Sequence, residues 1–196
     1  MPRIIYIKAA RARGYLLIGV AEGEVKRVYT VPEAVYSEVG SPARGEELDA
    51  ETESALDEAD NRYKAMRKAL SLLSYADNSE RALEAKLRRS GYSREVAEDT
   101  VREVVRLGYI NDERQLERLI LAEANTCLKG PLKLIPKLVS KGYSVSDIKA
   151  AISRLRETGE LDFDENRRRL LDTKLPDDAS DEEKYALLHK YGYKNA

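Results

Sequence analysis

The side chains of this chain that could do chemistry are scarce in catalytic types and plentiful in cations. His189 is the one histidine and Cys127 the one cysteine. A general base or a nucleophile needs a neighbour to orient and activate it. Neither residue has such a neighbour at a motif spacing. The sequence contains no Gly-rich phosphate loop, no Cys-x-x-Cys pair and no His-Glu-x-x-His helix. Cys127 is therefore expected as a core thiol, and His189 as a surface or packing residue. Asn111-Asp112-Glu113 could be mistaken for metal ligands. The same order makes a helix N-cap followed by first-turn acids, and that is the expectation. These readings predict no enzyme, no cofactor, no metal and no small-molecule substrate.

The cations point to binding. Arg81, Lys86, Arg88 and Arg89 fall on or near one helical stretch. Lys129, Lys133, Lys137 and Lys141 recur every four residues, which reads as a line along one helix face. Residues 131–141 hold no acid, so the spacing predicts a stripe unpaired on its own helix. Such a stripe suits phosphate groups or an acidic protein. These eight residues are the candidate contact site. Arg167-Arg168-Arg169 is a third cluster, but Asp162, Asp164, Glu165 and Asp172 surround it. Twelve tyrosines and no tryptophan could suggest base stacking. Five of them follow a glycine, however, and four of those five fit helix ends instead.

The net charge of −1 hides segregation. Residues 46–60 carry eight acids and no Lys or Arg, so the remainder sums to +7. Residues 61–109 carry eleven Lys/Arg against seven Asp/Glu. A basic body can meet a polyanion even when the whole chain is near neutral, and an acidic run can mask it until a partner arrives. No run of 18 apolar residues occurs, and residues 1–6 show no long apolar signal region. With a single cysteine, these features predict a cytoplasmic protein without a membrane span. A monomer without membrane contact is the working expectation, and the sequence leaves oligomeric state open.

Those side chains must be positioned by elements, and the pattern is legible. Ile5 and Ile7 alternate with Tyr6 and Lys8; apolar runs follow at 15–20 and 25–31, separated by Glu22-Gly23-Glu24. This predicts a three-stranded antiparallel meander over 3–31. A short helix from Pro32 to about Val39, a loop at 41–45 and a long acidic-led helix follow. Beyond about residue 50 the pattern is helical and repeats. Leu83-x-x-Lys86-Leu87-x-x-x-Gly91-Tyr92-Ser93 matches Leu134-x-x-Lys137-Leu138-x-x-x-Gly142-Tyr143-Ser144, 51 residues on. Leu188-x-x-x-Gly192-Tyr193 follows another 50 on, and Gly108 and Gly159 mark a second register. A glycine just past a helix takes the left-handed conformation, and the next residue folds back onto the last turn. Tyr92, Tyr143 and Tyr193 should then meet Leu87, Leu138 and Leu188. Ser93 and Ser144 should cap the helices that follow.

The expected fold is mainly α, with tandem three-helix repeats in an elongated, curved array behind a small β-rich N-terminal region. The expected divisions are a β-rich region at 1–48, a first repeat at 49–109, a second at 110–160 and a truncated third at 161–196. Their helices are expected near 58–75, 79–90 and 94–107; 112–128, 131–141 and 145–156; and 163–174 and 181–191.

The same residues resemble a known family. Ala69-Leu70-Ser71-Leu72-Leu73-Ser74-Tyr75, Ser79-Glu80, Leu83-x-x-Lys86-Leu87-x-x-x-Gly91-Tyr92 and Leu107-Gly108-Tyr109-Ile110-Asn111-Asp112-Glu113 resemble the first unit of RecX. Lys129-Gly130-Pro131-x-x-x-Ile135-x-x-x-Leu138-x-x-Lys141-Gly142 resembles its second. The resemblance implies tandem three-helix units that bind within the groove of a RecA filament on single-stranded DNA. It implies negative regulation of the ATPase, strand-exchange and coprotease activities of RecA in repair and the SOS response, with no chemistry of its own. A general DNA-binding helical-repeat protein acting without RecA, on single strands or duplex, is the alternative. The chain departs from the family at Ala76-Asp77-Asn78, where a basic stretch is usual, and at Leu116 and Glu117, where an aromatic and a small residue are.

Overall fold

The structure is a computed structural model that describes residues 1–194. The chain divides into two compact units. Met1–Leu72 with Leu87–Val104 forms the first; Leu73–Lys86 with the chain from Val105 onward forms the second.

The first unit opens with strands β1 (Arg3–Ala9), β2 (Tyr15–Glu22) and β3 (Val25–Pro32), antiparallel in that order, as the alternation predicts. One face differs from the simple pattern. The register shifts between Ile4 and Tyr6, so Ile4 pairs with Val20 and Ile7 with Ile18. This bulge places Ile4, rather than Ile5, in the core. It also lays the Tyr6 ring over Gly19, where a Cβ would overlap the ring. Helix α1 (Glu33–Glu38) begins after Pro32. Its Tyr36 is buried with Ile18, Tyr29, Val31, Leu48 and Leu56 in the sheet's core.

Helix α2 (Ala50–Tyr75) takes in most of the acidic run, as an acidic-led long helix should, and starts eight residues before the 58–75 expected for the repeat's first helix. Four of the run's eight acids are ion-paired where they stand, and two more accept backbone bonds. Glu46 accepts from the Ala43 N–H at 2.8 Å, Glu47 pairs with Arg3, and Asp49 accepts from the Thr52 N–H at 2.7 Å. Glu53 meets Arg27 at 2.6 Å and Glu58 meets Arg62 at 2.7 Å. Asp60 is buried; it accepts from the Thr30 N–H at 2.8 Å and pairs with Lys64 at 2.5 Å. That bond occupies a donor on edge strand β3, while Glu46 to Leu48 covers the outer edge of β1. Glu53 and Asp60 tie α2 to β3, and Glu47 ties the segment before α2 to β1, so these three carboxylates are committed to contacts within the fold.

Helices α3 (Glu80–Arg89) and α4 (Arg94–Arg106) continue from one unit to the other. In the second unit α5 (Asp112–Leu121) runs into a π turn at Ala122–Thr126, followed by α6 (Pro131–Ser140), α7 (Val145–Glu157), α8 (Phe163–Lys174) and α9 (Asp181–Tyr191). Its main core joins Leu116, Ile120, Leu134, Leu138, Ile148 and Leu155; Leu170, Leu188 and Tyr193 form a smaller one. The expected single helix over 112–128 is corrected by the π turn. Cys127 N–H bonds to Ala122 O at 3.1 Å, an i→i+5 closure that adds a residue to the turn. Cys127 is consequently exposed, not a core thiol. His189 is exposed and stacked on Tyr185.

The three glycine-tyrosine turns are built alike. Gly91, Gly142 and Gly192 have φ of +96°, +99° and +87°. Tyr92, Tyr143 and Tyr193 N–H groups bond to Leu87, Leu138 and Leu188 carbonyls at 3.3, 3.3 and 3.0 Å. Each glycine N–H bonds three residues back as well, completing the two-bond cap inferred from the spacing. Ser93 and Ser144 cap α4 and α7 through the Val96 and Asp147 N–H groups. Each such cap contributes about 1 kcal/mol.

Candidate functional site

Two places in the second unit gather polar side chains. The first is an open groove of about 520 Å³, lined in part by Arg81, Asp112, Glu113, Tyr143, Asp147 and Arg154. The N-termini of α3, α5 and α7 all reach it. Asn111 caps α5 through the Arg114 N–H at 2.9 Å, as expected of the Asn-Asp-Glu order. Asp112 turns away from its own helix and accepts from the Glu80 N–H at 3.1 Å, so it caps α3. Burial pushes the Asp112 carboxyl up, and Glu80 and Asp147 add to this against that hydrogen bond. Arg154 is already engaged by Glu113 and Glu117 at 2.8 and 3.1 Å. Among the described residues no group of three or more His, Cys, Asp or Glu side chains is placed to hold a metal.

The second place is α6 and its surroundings, where the lysines fall. They do not form one line. Four-residue steps advance about 40° beyond a full turn each time, so they drift around a helix. Lys129 also precedes α6 and Lys141 is its C-cap. Nor are they all unpaired. Lys129 bonds to Glu123 Oε2 at 2.6 Å, and Lys137 pairs with Glu123 Oε1. Burial pushes Glu123 up, but the bonds from both lysines outweigh it and hold the carboxyl below its usual range. The bond to Glu123 raises Lys129. Lys133 and Lys141 are exposed and have no ion partner among the described residues.

The π turn explains why this pairing escapes the sequence pattern. It presents Glu123 toward α6, while Asn125 donates to Glu160 O at 2.9 Å and accepts from the buried Asn166 at 2.7 Å. After it the chain reverses through Leu128, a non-glycine residue at φ +53°. Lys129 N–H then returns to Glu123 O at 3.0 Å. Glu123 is thus the residue of this site that charge spacing misses. Its partners lie six and fourteen residues away, across a reversal that no glycine marks.

Of the other cations, Arg81 stands beside the end of α6. Ser79 Oγ donates to Lys141 O at 2.7 Å, and a Cβ on Gly142 would lie 3.4 Å from Arg81 Cβ. The structure therefore brings Arg81 and Lys141 together from clusters 60 residues apart in sequence. Arg81 too has no ion partner among the described residues. Lys86 bonds to the Asn78 side chain. Arg88 and Arg89 end α3 in the first unit. In the third cluster Arg168 pairs with Glu165 at 3.0 Å.

Comparison with known proteins bears on the whole of this arrangement. The family described as RecX, first three-helix domain, matches residues 65–103. The regulatory protein RecX of Oceanobacillus iheyensis is 24% identical over 152 residues, 78% of this chain. A crystal structure of regulatory protein RecX superposes over 99% of this chain and 95% of its own, with a TM-score of 0.67 and 22% identity. The chain thus resembles the RecX family, in sequence at its first three-helix unit and in fold over its length. RecX from Lactobacillus salivarius matches over 70% of this chain and 90% of its own, with a TM-score of 0.56 and 20% identity. The alignment with the Oceanobacillus RecX spans 56% of that protein, little more than half its length. The fold agrees with the mainly α repeat architecture and small N-terminal sheet read from the sequence. No helix among its described residues is long and apolar enough to cross a membrane.

Proposed function

We propose that this chain is a RecX-type negative regulator of RecA, which binds the RecA filament on single-stranded DNA and lowers its ATPase, recombinase and coprotease activities. It acts by binding, as a cytoplasmic monomer, with no reaction centre and no cofactor. The observation that carries the reading is the RecX match at 65–103, followed by the same turn at Gly142-Tyr143 and Gly192-Tyr193. On this reading the repeats at 49–109, 110–160 and 161–196 are the binding modules, and 1–48 is an accessory region. Arg81, Lys86, Arg88, Arg89, Lys129, Lys133, Lys137 and Lys141 are the proposed contacts. Arg81, Lys133 and Lys141 are the ones best placed to meet a partner's anions, because none of them has an ion partner among the described residues.

The test is a titration of RecA ATPase on single-stranded DNA. The rate should fall at substoichiometric to equimolar protein. No effect at saturating protein rejects the proposal. Lys133→Glu with Lys141→Glu should weaken the inhibition about tenfold while the fold survives, since neither lysine leaves an orphaned carboxylate. A protein that binds DNA tightly yet leaves RecA unaffected would favour the alternative, a DNA-binding repeat protein acting alone.

A further inference from the structure

Glu123 lies beneath two ammonium groups. Its side chain is 12% exposed, whereas those of Lys129 and Lys137 are 31% and 39% exposed. One lysine takes each carboxylate oxygen. An ammonium has three donors, so each retains two beyond its bond to Glu123. Two cations on one anion leave a surplus of one positive charge. Lys133, one turn before Lys137 and unpaired among the described residues, raises that surplus to two.

We propose that Lys129 and Lys137, held side by side by Glu123, form a clamp for the phosphodiester oxygens of a DNA backbone, with Lys133 at its edge. The inference deepens the reading above and rests on it only in placing DNA at this face. Glu123 is a positioning residue, since it fixes the lysines and does not touch the phosphate. A free lysine loses about 2 kcal/mol of side-chain entropy on being fixed. Here much of that ordering precedes the ligand, which is how a prearranged site gains affinity. Lys129 is fixed twice, by its ammonium and by its backbone N–H to Glu123 O. Phosphate fits better than a partner's carboxylate. Carboxylates favour the planar fork of arginine, whereas ammonium acts as a point charge that suits oxygens arranged tetrahedrally. Among the described residues both cations on Glu123 are lysines.

The experiment is fluorescence anisotropy of the full chain with a labelled oligothymidylate, without RecA, over a range of salt. Glu123→Gln/Lys129→Gln/Lys137→Gln removes the clamp without orphaning a charge. Its affinity should fall at least about fivefold, and its log–log salt slope by about 1.4, two contacts at about 0.7 each. Lys26→Gln/Lys68→Gln lowers the net charge further but lies on β3 and α2, and should change affinity less than about twofold. Lys129→Arg/Lys137→Arg should retain binding. Should the triple variant unfold on thermal scanning, Lys133→Gln serves instead, with a slope loss of about 0.7. An unchanged slope in the folded triple variant, or in Lys133→Gln, overturns the clamp. So does competition by polyglutamate as effective as by unlabelled oligonucleotide. Loss of RecA inhibition with unchanged DNA binding also overturns the clamp but leaves the regulatory reading intact. DNA binding lost in the triple variant, in a protein that never affects RecA, upholds the clamp and rejects that reading.

Discussion

At Gly91 an added methyl group would find nothing within 4 Å; at Gly192 it would lie 2.7 Å from the backbone nitrogen of Lys133. Both glycines close the same two-bond helix cap in the same left-handed conformation. The Gly192 turn has a second role, since Tyr191 and Gly192 carbonyls accept from the Gly130 and Leu132 N–H groups at 2.9 and 3.0 Å. The start of α6 thereby saturates the end of α9. Gly142 is intermediate. It sits against Ser79 and Ala82 at the start of α3, where Ser79 donates to the Lys141 carbonyl. The motif encodes a local turn, and the docking of one helix end on another is added to it where a neighbour exists.

The ranking of alanine variants tests this difference. Gly192→Ala should destabilise most, by about 3 kcal/mol: roughly 1–2 for the left-handed backbone, and the rest for a clash with backbone that cannot rotate away. Gly142→Ala should cost about 2 kcal/mol, because its closest neighbour at 2.5 Å is the Ser79 hydroxyl, which can turn at the cost of its hydrogen bond. Gly91→Ala should cost only about 1 kcal/mol, the backbone term alone. Denaturant unfolding of the three variants measures all of these. Equal costs at the three sites would show that docking contributes nothing beyond the turn. Gly192→Ala should also weaken DNA binding, because the clash falls on Lys133, whereas Gly91→Ala should not.

The same distinction marks what the sequence makes legible. Caps, turns and strand alternation depend on neighbours within about five residues, so α8 and α9 fall at the bounds their patterns predict. Charge partners depend on the fold. The acids of 46–60 read as a free run, yet Glu47, Glu53 and Asp60 find Arg3, Arg27 and the Thr30 N–H more than twenty residues away. The lysines around α6 read as an unpaired stripe, yet Glu123 reaches two of them from the preceding element. The π turn that aims Glu123 is equally hidden, since Ala122-Glu123-Ala124-Asn125-Thr126 carries no helix breaker. The bulge at Ile5 is hidden likewise, because the apolar run Ile4-Ile5-Tyr6-Ile7 permits either face inward.

A finer version of the comparison lies in the tyrosines of the two docked turns. Tyr143 is buried and donates to Gln115 Oε1 at 3.3 Å; the Tyr193 hydroxyl is buried with no partner among the described residues. Tyr143→Phe should cost about 1 kcal/mol, since it strips a partner from the buried Gln115. Tyr193→Phe should be neutral or stabilise slightly, because it removes a hydroxyl that burial leaves unsatisfied. Burial pushes both phenols up from 10 to about 12. Above pH 10 the unfolded chain therefore releases these protons while the folded chain keeps them. Stability is fully present below pH 10 and is lost as pH rises through about 12, by up to about 1.4 kcal/mol per pH unit for each tyrosine. Unfolding free energies at pH 9 and pH 11 should diverge for the wild type, and less for the Tyr143→Phe/Tyr193→Phe double variant. Identical slopes for the two would mean that neither ring is sheltered by its turn, and the likeness between the two docked turns would then stop at the backbone.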